Sequence, residues 1–250
     1  MKIRGQWLTS LLFSVFTIAC VPLAVAQKAE VRVTKVALPL PGGSITADRF
    51  EPPTRQRRPA ILVLHGAGGS LLDGPEMKRV ARYLAENGNA VYVVHYFERT
   101  GTLFARDATM QKNYETWLET VRESIAAVQK LRADSAPVGI YGYSLGAFLA
   151  LQAASDNRHV AAVVEQAGGV WNGKLDRLGK LPPVLMIHGR EDARVPFDKY
   201  AQPLIPVLHA HSRQFETKLF PDEGHGFTPA AMNEVRHAAA EFFHRELATR

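Results

Sequence analysis

The chain of 250 residues contains a single cysteine, Cys20, and no low-complexity run. One cysteine cannot close an internal disulfide, and this composition excludes a fibrous or disordered protein. The sequence also lacks metal-ligand clusters and the fingerprints of flavin or nicotinamide cofactors, so we expect no cofactor. Lysine and arginine are interspersed with aspartate and glutamate, so the formal net charge of +6 does not indicate a nucleic-acid-binding protein.

The first 26 residues differ from the rest of the chain. Two basic residues precede an uncharged apolar run over 7–25, which ends in small residues at Ala24 and Ala26. This pattern is typical of a signal peptide and predicts cleavage after Ala26, with export to the bacterial periplasm or medium. An uncleaved membrane anchor and lipid attachment at Cys20 are the alternatives. Cleavage would remove Cys20, which excludes a thiol nucleophile.

Residues 27–250 alternate between strand and helix patterns. Continuous apolar runs, typical of strands covered on both faces, lie at 60–64, 90–94, 138–141, 160–164 and 184–187. Strands of other patterns are predicted at 29–38, 44–50 and 214–220. Helical segments are predicted at 75–87, 114–132, 145–155, 196–211 and 230–248. This alternation predicts a single α/β domain of three layers, in which helices cover both faces of a mostly parallel sheet.

The sequence Gly-Tyr-Ser-Leu-Gly at 142–146 is the main candidate for a catalytic centre. A Gly-x-Ser-x-Gly pattern alone occurs by chance in about one chain of this length in ten. Here it follows the apolar run 138–141 and begins a helical segment, which is the context of a nucleophile elbow, where glycines make room for a strained serine. Ser144 is therefore the expected nucleophile. A glycine-rich turn around a helix-capping serine is the alternative.

A serine hydroxyl needs a base, which in this motif order lies late in the chain. His225 is expected in that role because it lies in a glycine-flanked loop before the last helical segment. The acid that orients it is expected after the run 184–187, at Asp192. The non-catalytic alternatives are that His225 is an ordinary surface histidine and that Asp192 forms an ion pair with an arginine. The rival acids are Glu191, Asp222 and Glu223.

Backbone N–H groups are also needed to bind a tetrahedral oxyanion. Leu145 directly follows the candidate nucleophile, so its N–H is one expected donor. The second is expected from Ala67, in the small-residue loop His-Gly-Ala-Gly-Gly at 65–69. A phosphate-binding turn is the alternative for this loop, but the Lys-Ser/Thr pair of a nucleotide P-loop does not follow it.

Segments that follow the strands are expected to form a substrate pocket. The predicted lining residues are His65, Tyr96, Phe97, Tyr143 and Trp171. Arg99 and Arg106 are candidates for binding a substrate carboxylate, and solvated loop arginines are the alternative.

Together, the loop at 65–69, the motif at 142–146, the loop of Asp192 and the Gly-His-Gly-Phe segment at 224–227 resemble the dienelactone hydrolase family of α/β-hydrolases. The resemblance covers about residues 31–247 and implies a compact hydrolase without a large lid, acting on small esters or lactones. The founding enzymes of that family have cysteine as nucleophile, whereas this chain has Ser144. The resemblance therefore implies a serine esterase and leaves lactone specificity open.

The residues and the resemblance predict cleavage of a small-molecule ester or lactone through an acyl-enzyme on Ser144. We expect neither a nucleic-acid partner nor stable membrane insertion after signal cleavage. A peptidase of the prolyl oligopeptidase type and a non-catalytic binding protein on the same fold are the alternatives.

Overall fold

The computed structural model describes residues 30–52, 58–133, 136–171 and 174–247. The predicted signal peptide at 1–26 lies outside these residues. All the predicted strands are present in one eight-stranded sheet. They are β1 (Arg32–Leu40), β2 (Gly43–Glu51), β3 (Ala60–Leu64), β4 (Ala90–Val94), β5 (Val138–Tyr143), β6 (Val160–Gln166), β7 (Val184–Gly189) and β8 (Phe215–Phe220).

The strand order is β1-β2-β4-β3-β5-β6-β7-β8. Strand β2 is antiparallel to β1 and β4, and the other neighbouring pairs are parallel. Every residue of β3, β4, β6 and β7 is buried, because these strands lie inside the sheet with both faces covered. The continuous apolar runs are thus explained, and the predicted mostly parallel α/β fold is confirmed.

Helices cover both faces of this sheet. They are α1 (Gly69–Leu72), α2 (Gly74–Glu86), α3 (Asp107–Leu131), α4 (Leu145–Ala154), α5 (Leu204–His211) and α6 (Pro229–Leu247). Because side chains alternate along a strand, Ile61 and Val63 pack with α2 and α6, whereas Leu62 and Leu64 pack with α3 and α4. Within the described ranges, no helix is both long enough and apolar enough to cross a bilayer.

The short helix α1 was not predicted, and two of the predicted helices differ from the structure by more than one residue. Helix α3 begins at Asp107 rather than at 114, and its additional first turns place Met110 both in the buried stripe of the helix and in a cavity wall. The helix predicted at 196–211 is divided into a π-helical turn, Phe197–Ala201, and α5. Pro203 lies between them, and a proline has no N–H with which to continue a helix.

Candidate active site

Ser144 occupies the sharp turn between β5 and α4. Its backbone angles are φ 53° and ψ −121°, and a positive φ is uncommon for a residue with a side chain. The Ser144 N–H donates to the Gln166 carbonyl oxygen over 2.9 Å, and the Ser144 carbonyl oxygen accepts from the Ala147 N–H over 2.8 Å. These bonds hold the turn between β6 and the first turn of α4, so the strained conformation is maintained by its surroundings.

Gly142 and Gly146 make this turn sterically possible. A Cβ atom on Gly142 would lie 2.3 Å from the Gly146 carbonyl oxygen, and one on Gly146 would lie 2.4 Å from the Leu64 carbonyl oxygen. Both atoms that would be struck belong to the backbone, which cannot move aside as a flexible side chain can. The contacts agree with the steric role that the sequence predicted for the two glycines.

The structure brings together the three side chains predicted for catalysis. The His225 Nε2 atom lies 2.9 Å from Ser144 Oγ, and His225 Nδ1 lies 2.8 Å from Asp192 Oδ2. Both distances are those of hydrogen bonds. The three residues lie on the turn after β5, the loop after β7 and the loop after β8, which meet at one edge of the parallel sheet.

Asp192 is held firmly behind His225. Its Oδ1 atom accepts hydrogen bonds from the Arg194 and Val195 N–H groups over 2.9 Å and 2.7 Å, and its side chain has no exposed surface. Burial alone would raise the pKa of Asp192, but the hydrogen bonds from His225 and Val195 outweigh it and hold that pKa below its usual range. The carboxylate is therefore ionised at neutral pH and can stabilise a protonated imidazole.

The arginine and the acid considered as alternatives have other partners in the structure. The Arg194 guanidinium pairs with Asp107 rather than with Asp192. The rival acid Glu223 accepts hydrogen bonds from the Thr228 N–H and hydroxyl over 2.7 Å and 2.6 Å, at the start of α6. These partners leave Asp192 as the acid that contacts His225.

The predicted oxyanion donors Ala67 and Leu145 line the same cavity as Ser144. Leu145 begins α4, so its N–H has no acceptor within the helix. Ala67 lies in a turn closed by the Gly69 N–H on the Gly66 carbonyl oxygen over 3.1 Å. Neither the Ala67 nor the Leu145 N–H donates to another residue in the described part of the chain. Both groups are thus free to bind a negatively charged oxygen.

Asp73 is a residue of this site that the sequence analysis missed. Its Oδ2 atom accepts a hydrogen bond from the Gly68 N–H over 2.9 Å, and burial raises the pKa of its carboxyl group. A Cβ atom on Gly66 would lie 2.7 Å from Asp73 Oδ2 and 3.0 Å from Ser144 Cβ. Asp73 therefore holds the loop of Ala67 close to Ser144. Its only signal in the sequence was its place before Pro75, which is typical of an ordinary helix start.

Two cavities lie at this edge of the sheet. Trp171 lines a cavity of about 230 Å³ that contains Ser144, in agreement with its predicted position. Tyr143 lines a separate cavity of about 530 Å³, together with Asp73 and Met232. The Tyr143 hydroxyl donates to the His225 carbonyl oxygen over 3.2 Å, so this side chain also supports the histidine loop.

His65, Tyr96 and Phe97 depart from their predicted pocket role, because they line neither of these cavities and are buried in the core. The rings of His65 and Tyr96 stack with centroids 4.3 Å apart, and the Tyr96 hydroxyl donates to the His65 carbonyl oxygen over 2.8 Å. Burial lowers the pKa of His65 to about 4, so its imidazole is neutral. The three rings support the loop of Ala67 from beneath, because the 3₁₀ helix Tyr96–Thr100 turns inward after β4.

The carboxylate-binding role considered for Arg99 is also not supported by its contacts. Its guanidinium donates to the Gly43 carbonyl oxygen over 3.3 Å and lies 3.6 Å from the Glu123 carboxylate. It therefore fastens the β1–β2 turn to the body of the protein. No group of three or more potential metal ligands occurs among the described residues.

Known proteins resemble this chain in sequence and in fold. A model of the dienelactone hydrolase family matches residues 46–249. The structure is similar to a dienelactone hydrolase from Anabaena variabilis, with a TM-score of 0.65 and 19% identity over 87% of this chain and 99% of that one. It is similar to a cold-adapted esterase from an Arctic intertidal metagenomic library, with a TM-score of 0.71 and 18% identity over 88% and 98% of the two chains.

A third similar structure is larger. The acylaminoacyl peptidase of Pyrococcus horikoshii has a TM-score of 0.70 and 17% identity, over 88% of this chain but 42% of the peptidase. No curated protein sequence matches the chain. At these identities, the likeness to solved structures establishes the fold.

Proposed function

Because the chain belongs to the dienelactone hydrolase family, we propose that it is a serine hydrolase that cleaves small carboxylic esters or lactones. The observation that carries the proposal is the pair of hydrogen bonds that joins Ser144 to His225 and His225 to Asp192, at 2.9 Å and 2.8 Å. A serine hydroxyl, an imidazole and a buried carboxylate in this order are the groups that acyl transfer requires. Because a signal peptide is predicted at 1–26, the proposed site of the reaction is the periplasm or the medium.

The reaction proceeds in two stages. In the tautomer with hydrogen on Nδ1, His225 donates to Asp192 and accepts the Ser144 proton at Nε2 while Ser144 Oγ attacks the ester carbonyl carbon. The N–H groups of Ala67 and Leu145 stabilise the oxyanion that forms. His225 then returns the proton to the leaving alcohol. A water molecule deprotonated by His225 next attacks the acyl-enzyme, which releases the acid and restores Ser144.

Peptidase activity is the second candidate, favoured by the likeness to the acylaminoacyl peptidase. The aligned region is 42% of that enzyme, so more than half of it has no counterpart in the alignment. Ester hydrolysis is therefore the better-supported reading. If the protein hydrolysed aminoacyl p-nitroanilides as fast as p-nitrophenyl esters, peptidase activity would become the better-supported function.

The nucleophile is tested with Ser144→Ala. We expect p-nitrophenyl acetate hydrolysis to fall by about 10⁴-fold or more and fluorophosphonate labelling to disappear, while the melting temperature stays close to that of the wild type. Ser70→Ala is the matched control, because Ser70 Oγ also lies near a histidine nitrogen, 2.6 Å from His95 Nδ1. This control should keep full activity and labelling. Unchanged turnover in folded Ser144→Ala would disprove the proposed mechanism.

A further inference from the structure

The cavity that contains Ser144 is apolar and limited in size. Its volume is about 230 Å³, and the large apolar side chains in its wall include Met110, Phe148, Trp171, Val195 and Tyr200. An apolar cavity of about 150 Å³ in another protein holds a benzene molecule. This cavity is therefore large enough for a phenyl ring or a short alkyl chain, but not for a long fatty acid chain.

The positions of the catalytic groups decide which half of an ester enters this cavity. Ala67, Ser144 and Leu145 line it, so a carbonyl oxygen bound by the two N–H groups lies at its mouth. The leaving oxygen has to lie within reach of His225 Nε2, which returns the proton. Since His225 is not part of the cavity wall, the alcohol lies on the histidine side. The acyl chain therefore extends into the cavity.

The charged residues in the wall already pair with each other, which disfavours an anionic acyl chain. Asp107 and Arg194 are the charged residues among those that line the cavity, and their side chains pair with each other at its exposed rim. A carboxylate drawn inside would lose its water without gaining a free cation, which is strongly unfavourable. An uncharged acyl group meets no such penalty.

We propose that the preferred substrates are esters with an uncharged acyl group of about four to eight carbons, either aliphatic or aromatic. This substrate class rests on the proposed function, because it takes Ser144 as the nucleophile. A hydrolase that binds a carboxylate on the acyl part of its substrate would have the opposite preference.

The test measures kcat/KM of the wild-type protein for p-nitrophenyl esters with one leaving group and different acyl chains. We expect butanoate to exceed acetate roughly tenfold, because two further methylene groups become buried. Benzoate should be accepted and dodecanoate should fall well below hexanoate. In the mono-p-nitrophenyl ester of adipic acid, a carboxylate replaces the terminal methyl group of hexanoate, and this ester should react at least tenfold more slowly than the hexanoate ester.

The outcomes separate the two proposals. If acetate is the best substrate, or if the adipate and hexanoate esters react equally, the proposed acyl group is wrong while the serine hydrolase stands. If no ester is hydrolysed and Ser144 is not labelled by a fluorophosphonate, the proposed function itself fails.

A pair of methionine variants tests the cavity directly. Met110 and Met232 are almost equally buried, at 5% and 6% exposure, but Met232 lines the larger cavity that does not contain Ser144. Met110→Ala should raise the ratio of octanoate to butanoate hydrolysis several-fold, whereas Met232→Ala should leave that ratio unchanged. Equal ratios in both folded variants would contradict the assignment. If Met110→Ala does not fold, Met110→Val provides a smaller enlargement, and the wild-type series remains decisive.

Discussion

At the scale of single residues, Asp192 has hydrogen-bond partners on both of its carboxylate oxygens. One carboxylate oxygen binds the N–H groups of Arg194 and Val195, and the other binds His225. The backbone bonds fix the carboxylate, so that it in turn fixes the imidazole. An amide at this position would keep an acceptor for the backbone but place an NH₂ group against His225, which favours the wrong tautomer.

We therefore expect Asp192→Asn to lower kcat for p-nitrophenyl butanoate by about 10⁴-fold while the melting temperature changes little. Glu191→Gln is the matched control, since Glu191 is the neighbouring acid and is exposed. Steady-state kinetics together with thermal unfolding will check this prediction. A comparable loss of activity in both variants would show that Asp192 has no special role.

At the scale of elements, the approach of α4 to β3 determines whether the elbow can form. A Cβ atom on Gly146 would lie within 2.6 Å of the carbonyl oxygens of both Leu64 and His65, at the end of β3. Moving α4 away from these atoms would shift Ser144 relative to the loop of Ala67, which follows β3. One contact between two elements thus sets the position of Ser144 relative to the loop of Ala67.

Gly146→Ala is expected to destabilise the fold by at least about 1–3 kcal/mol, the usual range for overpacking, and to abolish esterase activity. Gly74→Ala is its control, because a Cβ atom there would have Ser70 Cβ at 3.8 Å as its nearest neighbour. Urea denaturation and the p-nitrophenyl acetate assay would reveal the difference. A stable, active Gly146→Ala protein would mean that the elbow is looser than these contacts imply.

At the scale of the whole molecule, a buried acid links stability to pH. Glu165 in β6 has no exposed surface; its Oε2 atom accepts from the Gly168 N–H over 3.1 Å, and its Oε1 atom has no hydrogen-bond partner among the described residues. Burial raises the pKa of Glu165 from 4.5 to about 8. At a pH between 4.5 and about 8, Glu165 is ionised in the unfolded chain but protonated in the folded chain. The free energy of unfolding therefore falls as the pH rises through this range.

Glu165→Gln removes this titration. The free energy of unfolding of the variant should therefore increase relative to that of the wild type from pH 5 to pH 8, which means that the variant becomes relatively more stable, with a slope of up to about 1.4 kcal/mol per pH unit. Urea denaturation at pH 5, 6.5 and 8 measures the difference. Glu119→Gln, at an exposed glutamate, should show almost no such slope. A constant offset between Glu165→Gln and the wild type would rule out a proton bound at Glu165.

Local patterns in the sequence were sufficient for the strands, most of the helices and the position of the elbow. Strands β3 and β4 begin and end at the predicted residues, because a strand buried on both faces must be apolar throughout. The sequence could also predict that Ser144, Asp192 and His225, which the structure joins by hydrogen bonds, lie together, because chain order and loop position are properties of the sequence itself.

Only the tertiary structure decided which side chains surround the nucleophile. Asp73 reaches the loop of Ala67, whereas Tyr96 and Phe97 turn away from the cavity into the core. The cavity wall combines Met110 from α3, Phe148 from α4 and loop residues far apart in the chain. Sequence periodicity shows that a side chain is buried, but not whether it faces a cavity or the core, because that depends on how separate elements pack against each other.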